Sequence, residues 1–248
     1  MSLSVSIISF NEGENILRTL EALQGLADEI VLVDSFSTDN TVEIAKSMRA
    51  KVFQESWKGF IAQKNSALDK CNSDWILALD CDEVITPELA ESIRVAMKSN
   101  EHDGYALNRR TFYLGKLLKH SWQPDRKLRL VRKRAEARWG GYDPHDVLQL
   151  KGRIGNLKGD LIHYSFKDFH DHMQRTIKHS RVAAESYHKK GKKSGMLDLT
   201  LKPMWVFMNR LIIRGSILDG IPGVLASFSA AVAVYMKYGF LWEINQKK

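Results

Sequence analysis

Apolar and polar positions alternate along the first hundred residues in blocks of two different periods. Leu3–Phe10 is a mostly apolar run of the kind a strand buried on both faces shows. Ile16, Leu17, Leu20 and Leu23 then recur at helical spacing over Glu14–Leu23. A second apolar run, Glu29–Val33, ends at Asp34, and Ser37-Thr38-Asp39-Asn40 offers N-cap residues for a helix over Thr41–Met48. Lys51–Gln54 reads as a short strand, Phe60–Lys70 as a helix and Trp75–Leu79 as a central strand ending at Asp80. Thr86-Pro87 starts another helix, with Thr as N-cap and Pro at the first helical position. Such alternation predicts an α/β layer with a mostly parallel sheet and helices on both faces.

After Gly104 the pattern becomes strand-like and irregular, at Tyr105–Leu107, Lys127–Val131, Val147–Leu150 and Leu161–Tyr164. Phe166–Lys190 follows as one long helix, ended by the basic, Gly-containing stretch Lys189–Gly195, the best linker in the chain. Two apolar segments, Met204–Ile217 and Ile221–Leu241, close the sequence. The expected division is residues 1–165 as one Rossmann-like catalytic domain and 166–248 as a helical extension.

Charge is unevenly spread. Residues 1–124 carry 13 Lys/Arg against 18 Asp/Glu, and residues 125–248 carry 24 against 11. A basic half calls for an anionic partner, nucleic acid or membrane headgroups, unless it is only a solvated face. Ile221–Met236 holds no charge, which is short of the roughly twenty residues that span a bilayer. With Arg210, Arg214 and Lys189–Lys193 upstream, it reads as an interfacial anchor on an anionic leaflet. The alternative is a buried helix or an oligomer contact. Two cysteines outside any CxxC pair and a first strand that begins at once point to a reduced, cytoplasmic setting, and the anchor to a place peripheral on the inner face of the membrane.

Asp80-Cys81-Asp82-Glu83 carries the chemistry. A buried strand runs into three acids, and ligands of open α/β sheets bind at the carboxyl ends of strands. Alternate residues of an extended segment point the same way, so Asp80 and Asp82 can converge, and their repulsion calls for a cation. Hard divalent ions that also take phosphates as ligands, Mg²⁺ or Mn²⁺, fit such oxygens. Helix capping is the competing use for these acids, but Thr86 already serves as a cap. Asn11, Glu12 and Asp34 end two further strands on the same edge.

Val5–Glu12, Ile30–Ser35 with Thr38–Thr41, Gln63-Lys64-Asn65 and Leu79–Glu83 together resemble the inverting family 2 glycosyltransferases of GT-A fold. Trp122–Arg126, Arg129–Arg132, Gly140–Asp146 and Leu218–Gly223 are similar to the bacterial subgroup that glucosylates the lipopolysaccharide inner core. The resemblance implies a nucleotide-sugar donor, UDP-glucose or another UDP-hexose, and a lipid-linked or core saccharide acceptor. It implies that Phe10, Asn11 and Glu12 line the nucleotide pocket, Asp34 bonds the base and Lys64 holds a cation near the nucleotide. Asp80 would touch the ribose or sugar, Asp82 would ligate the metal, and Asp146 would be the catalytic base. His163, at a predicted strand end, is a candidate third contact to metal or diphosphate.

Trp122, Trp139 and Tyr142 flank the base and are candidates for an acceptor platform, or for core packing. His170, His172 and His179 fit no common zinc spacing. A sugar nucleotidyltransferase would need a Gly-rich phosphate loop that the chain lacks. A nucleic-acid-binding protein is disfavoured because the positive charge follows the apolar C-terminus; no nucleic acid is expected as partner.

Overall fold

The computed structural model describes residues 1–142 and 145–246, without the side chains of Tyr142 and His145. The chain forms two compact units, Met1–Arg109 with Asp125–His163, and Arg110–Pro124 with Tyr164–Lys248.

In the first unit, β1 (Leu3–Ser9), β2 (Glu29–Asp34), β3 (Lys51–Gln54) and β4 (Trp75–Ala78) alternate with α1 (Gly13–Glu21), α2 (Thr41–Ser47) and α3 (Phe60–Asp69). β3-β2-β1-β4 pair in parallel, as strand–helix alternation predicts. β5 (Glu83–Ile85) and α4 (Pro87–Lys98) follow, then β6 (Gly104–Tyr113), β8 (Arg126–Arg132) and β11 (Ile154–His163). These extend the sheet past β4 in the order β8-β6-β11-β5. β8 runs antiparallel to β4 and to β6, and β5 antiparallel to β11, so the sheet is mixed. A separate antiparallel hairpin is made by β9 (Arg138–Tyr142) and β10 (His145–Gln149).

Period-two alternation feeds two cores. Leu3, Val5 and Ile7 of β1, with Trp75 and Leu77 of β4, pack with Ile16 and Leu20 of α1 and Leu89 and Ile93 of α4. Ile76 and Ala78 of the same β4 pack instead with Leu68 of α3, Trp139 and Leu148. Burial on both faces is why β1, β2 and β4 read as apolar runs and not as alternating ones. Thr86 caps α4 as its sequence predicts, accepting from the Leu89 N–H at 3.3 Å.

In the second unit, β7 (Lys116–Leu117) folds back on the end of β6. α5 (Phe169–Lys189), α6 (Met196–Leu199), α7 (Leu201–Met208) and α8 (Ile221–Gln246) complete it, and α8 packs along both α5 and α7. The Leu218–Gly223 motif is structural here. Asp219, 1% exposed, accepts the backbone N–H groups of Lys119, His120 and Ser121 at 2.9, 3.0 and 2.7 Å. Burial opposes that charge, yet the three donors hold the carboxyl down at about 2. A side chain at Gly223 would lie 1.9 Å from the Ser216 carbonyl, so only glycine fits.

Candidate active site

Three parallel strands deliver polar groups to one sheet edge, where Ser9 pairs with Asp34 and Asp34 with Gln54. Asp34 is fully buried and accepts from the Ser9 hydroxyl and the Ser37 N–H, both at 2.8 Å. Its carboxylate thus braces the strand ends, and any bond to a base would be shared with these donors. Past the ends of β1 and β2 one residue each turns left-handed, Asn11 (φ 55°) and Phe36 (φ 60°). Asn11 suits this because its side-chain oxygen accepts the Thr38 N–H at 2.8 Å while its own N–H donates to the Ser37 hydroxyl at 2.8 Å. Phe36 has no such compensation, and strain of this kind concentrates at functional sites. Phe10 and Phe36 are both more than half exposed, two aromatic faces offered at neighbouring strand ends. Phe36 was missed by sequence reasoning; its signal was an aromatic set directly after Asp34-Ser35. Glu12 lies at the start of α1, its backbone N–H on the Thr41 hydroxyl at 2.8 Å.

Beside this edge runs a chain of alternating charges. Lys64 Nζ lies 2.9 Å from both Asp146 and Asp80. Arg129 joins Asp80 to Glu83, at 2.8 Å each, and Arg109 joins Glu83 (3.3 Å) to Asp125 (2.8 Å). Burial works against the Asp80 anion, but the Arg129 and Lys64 cations override it and hold the carboxyl well below the usual range. Burial likewise opposes the Arg129 charge, and Glu83 and Asp80 more than restore it. Glu83 is fully buried and also accepts the Asp80 N–H at 3.0 Å, fixing the turn that presents Asp80. The structure therefore brings together Lys64, Asp80 and Asp146, and adds Arg129, Glu83 and Arg109, whose partnership no local pattern announces.

Trp139 is 7% exposed, with Lys64 Nζ 4.4 Å and the Arg129 guanidinium 5.4 Å from its ring. Its surface is spent on cations and core, which leaves little for a saccharide. Tyr142's side chain lies outside the described residues. Trp122 sits in the second unit, its ring 5.5 Å from Tyr113, 5.9 Å from Phe166 and 5.7 Å from His172. His172 is the satisfied core histidine of that cluster. Its Nδ1 is 2.7 Å from the Tyr113 hydroxyl, and burial pushes the imidazole down to about 4.

Asp82 and His163 come together, Oδ2 to Nε2 at 3.2 Å, in the register that pairs Glu83 with His163 across β5 and β11. The carboxylate oxygen suits Mn²⁺ or Mg²⁺ alongside phosphate oxygens, whereas the imidazole nitrogen is a softer donor that oxygen-demanding Mg²⁺ disfavours. Among the described residues no group of three or more His, Cys, Asp or Glu converges on one point. Cys81 is buried with its thiol toward the Ile8 carbonyl, and burial, then the surrounding carboxylates, pushes it well above the ordinary value; it packs.

A mixed sheet whose parallel half ends in acids, followed by a chain of paired charges, defines an α/β protein with a polar, charged site at its strand ends. Residues 4–153 match the model of glycosyl transferase family 2, and the chain belongs to that family: it is a glycosyltransferase. It is 30% identical over 257 residues to an uncharacterized glycosyltransferase of Rickettsia typhi, covering 99% of this chain and 88% of the relative. It is 27% identical over 264 residues to the lipopolysaccharide core biosynthesis glycosyltransferase LpsC of Rhizobium meliloti, covering 100% and 94%. Among solved structures, S. aureus TarS in complex with UDP-GlcNAc superposes with a TM-score of 0.54 at 15% identity, covering 100% of this chain and 93% of that one. That likeness carries the fold.

Proposed function

We propose that the enzyme moves a hexose from a UDP-sugar, UDP-glucose in the first instance, onto a lipopolysaccharide-core or other lipid-linked saccharide, with inversion. The observation that carries the reading is the bridge Asp80–Lys64–Asp146, both ion pairs at 2.9 Å, beside the strand ends. LpsC, named for lipopolysaccharide core biosynthesis, supports the acceptor class, and the UDP-GlcNAc complex of TarS supports a UDP-sugar donor.

Phe10, Asn11, Glu12 and Asp34 would receive the nucleoside at the ends of β1 and β2, and Asp80 the ribose or sugar. Asp82 with His163 would hold a divalent ion, whose chemistry is to neutralise charge on the departing diphosphate. Lys64 would bring a second cation to the same phosphates. The acceptor oxygen attacks the anomeric carbon from the face opposite the leaving group. The new C–O bond forms as the bond to the phosphate oxygen breaks, and its electron pair leaves with UDP. The hydroxyl proton passes to Asp146, a carboxylate held in place by Lys64. Trp139 and Tyr142 stand beside the base on the same hairpin. In this reading the first unit carries donor and chemistry, and the second keeps the enzyme peripheral on the cytoplasmic face of the membrane.

Asp146→Asn tests the base. The variant should bind UDP-glucose with unchanged affinity by calorimetry and lose about 10²–10⁴ in kcat. Turnover near that of the parent removes Asp146 from this role.

A further inference from the structure

The second unit exposes apolar side chains far beyond what a solvated surface carries. Leu197, Met204, Trp205, Ile213, Leu218 and Ile221 are between 59% and 76% exposed, all within 25 consecutive positions that include most of α6 and all of α7. Exposed apolar side chains gathered in one short segment mark an interaction face. α8, the segment with the apolar length to cross a membrane, is tied down at several points. The Ser180 hydroxyl donates to the Ala233 carbonyl at 3.1 Å, Lys202 reaches the Tyr238 hydroxyl at 3.2 Å, and His188 lies 2.7 Å from Asn245. Insertion of α8 across a bilayer would break these contacts; a surface-lying α6–α7 stretch that keeps its packing on α8, Lys202 to Tyr238 included, preserves them.

Charge selects the partner. Between Lys189 and Leu218 stand seven Lys/Arg and one acid, Asp198. That acid is already taken by Lys202 and by the Gly195 N–H. Arg210 and Arg214 are one helical turn apart, and among the described residues neither has a carboxylate partner. Burial and the nearby Arg214 both push Arg210 below its usual value, so the pair gains from an added anion. A second copy of this face would set one cationic surface against another. An anionic leaflet supplies both hydrocarbon and phosphate.

We propose that residues 196–221, rather than α8, lie in the headgroup region of an anionic bilayer, with Arg210 and Arg214 gripping lipid phosphates. This rests on the peripheral-membrane part of the proposed function and assigns it to a segment and a headgroup charge. The test is co-sedimentation of the full chain with phosphatidylcholine vesicles made with and without phosphatidylglycerol. Phosphatidylglycerol should raise binding strongly. At about 1 kcal/mol, or fivefold, per cation, Arg210→Gln/Arg214→Gln should lower it about 25-fold. Trp205→Ser/Ile213→Ser should lower it at least about tenfold. Phe228→Ser, on the exposed face of α8, should change it little.

UDP release from UDP-glucose without vesicles is measured in parallel. Its absence in the parent enzyme would count against the UDP-glucose donor proposed above and leave the membrane result standing. Equal binding by parent and Trp205→Ser/Ile213→Ser, or equal binding to vesicles lacking phosphatidylglycerol, overturns the proposal. So does a concentration-dependent dimer that Trp205→Ser/Ile213→Ser dissolves, since the face would then belong to a second copy.

Discussion

Arg129→Met removes the central cation of the charge chain while nearly conserving volume. Arg129 is 4% exposed and bonds both Asp80 and Glu83 at 2.8 Å; Glu83 is fully buried. In the variant Asp80 keeps Lys64 at 2.9 Å, but Glu83 is left with Arg109 at 3.3 Å. Removing one partner of a buried pair costs about 3–5 kcal/mol, because the remaining charge stays desolvated. The surviving partners put this case at the low end, about 3 kcal/mol. For a chain of this size that is a fall in Tm of roughly 6–12 °C. Calorimetry of Arg129→Met, Glu83→Gln and the double variant measures it. Glu83→Gln in the Arg129→Met background should restore part of the loss, since it removes the uncompensated charge. A Tm within about 1 °C of the parent for Arg129→Met, or a double variant whose losses merely add, would refute a buried, coupled network.

His172 titrates at about 4 against an ordinary value of 6.5, because burial disfavours its charged form. The unfolded chain then takes up a proton that the folded chain refuses, so stability falls as pH drops from 6.5 toward 4, by about 3 kcal/mol in all. Urea midpoints across that window should show the slope, and His172→Gln should flatten it; an unchanged slope in the variant contradicts the assignment. Asn65→Ala should cost about 1–3 kcal/mol in urea unfolding, because it strips partners from the Trp139 N–H (2.9 Å) and carbonyl (3.0 Å) together. A loss within a few tenths of a kcal/mol would mean that solvent replaces both bonds.

Local pattern was enough for the parallel half of the sheet. β3 falls at Lys51–Gln54 as its sequence predicts, and β1, β2 and β4 end within a residue of their apolar runs. Each of these strands is buried on both faces or bounded by clear helix signals, so its pattern does not depend on a partner. β5, β7 and β9 were not legible: they are two to five residues long and owe their shape to pairing with distant strands. The acids of the site were visible because Asp80, Asp82 and Glu83 crowd one strand end. Lys64 was named as a site residue through the family resemblance, but the two arginines were not. Arg129 meets Glu83 across 46 residues and Arg109 meets it across 26, through strand pairing that no window of sequence contains.

Gln63-Lys64-Asn65 shows how so short a motif organises a whole site. Successive helical residues diverge by about 100°, so three in a row fan out around the axis. Gln63, fully buried, donates to the Ser35 hydroxyl at the end of β2, at 3.3 Å. Lys64 joins Asp80 beyond β4 to Asp146 on β10, and Asn65 clamps both backbone groups of Trp139 on β9. One turn of α3 thereby ties two strand ends of the sheet to a hairpin that shares no ladder with it. Asp146 could not have been located from its own surroundings, because its hairpin is placed by this turn and by the packing of Trp139 and Leu148 on β4. Moving the motif by a single residue would rotate every one of these contacts away from its partner, and the acid proposed as base would lose its place beside the strand ends.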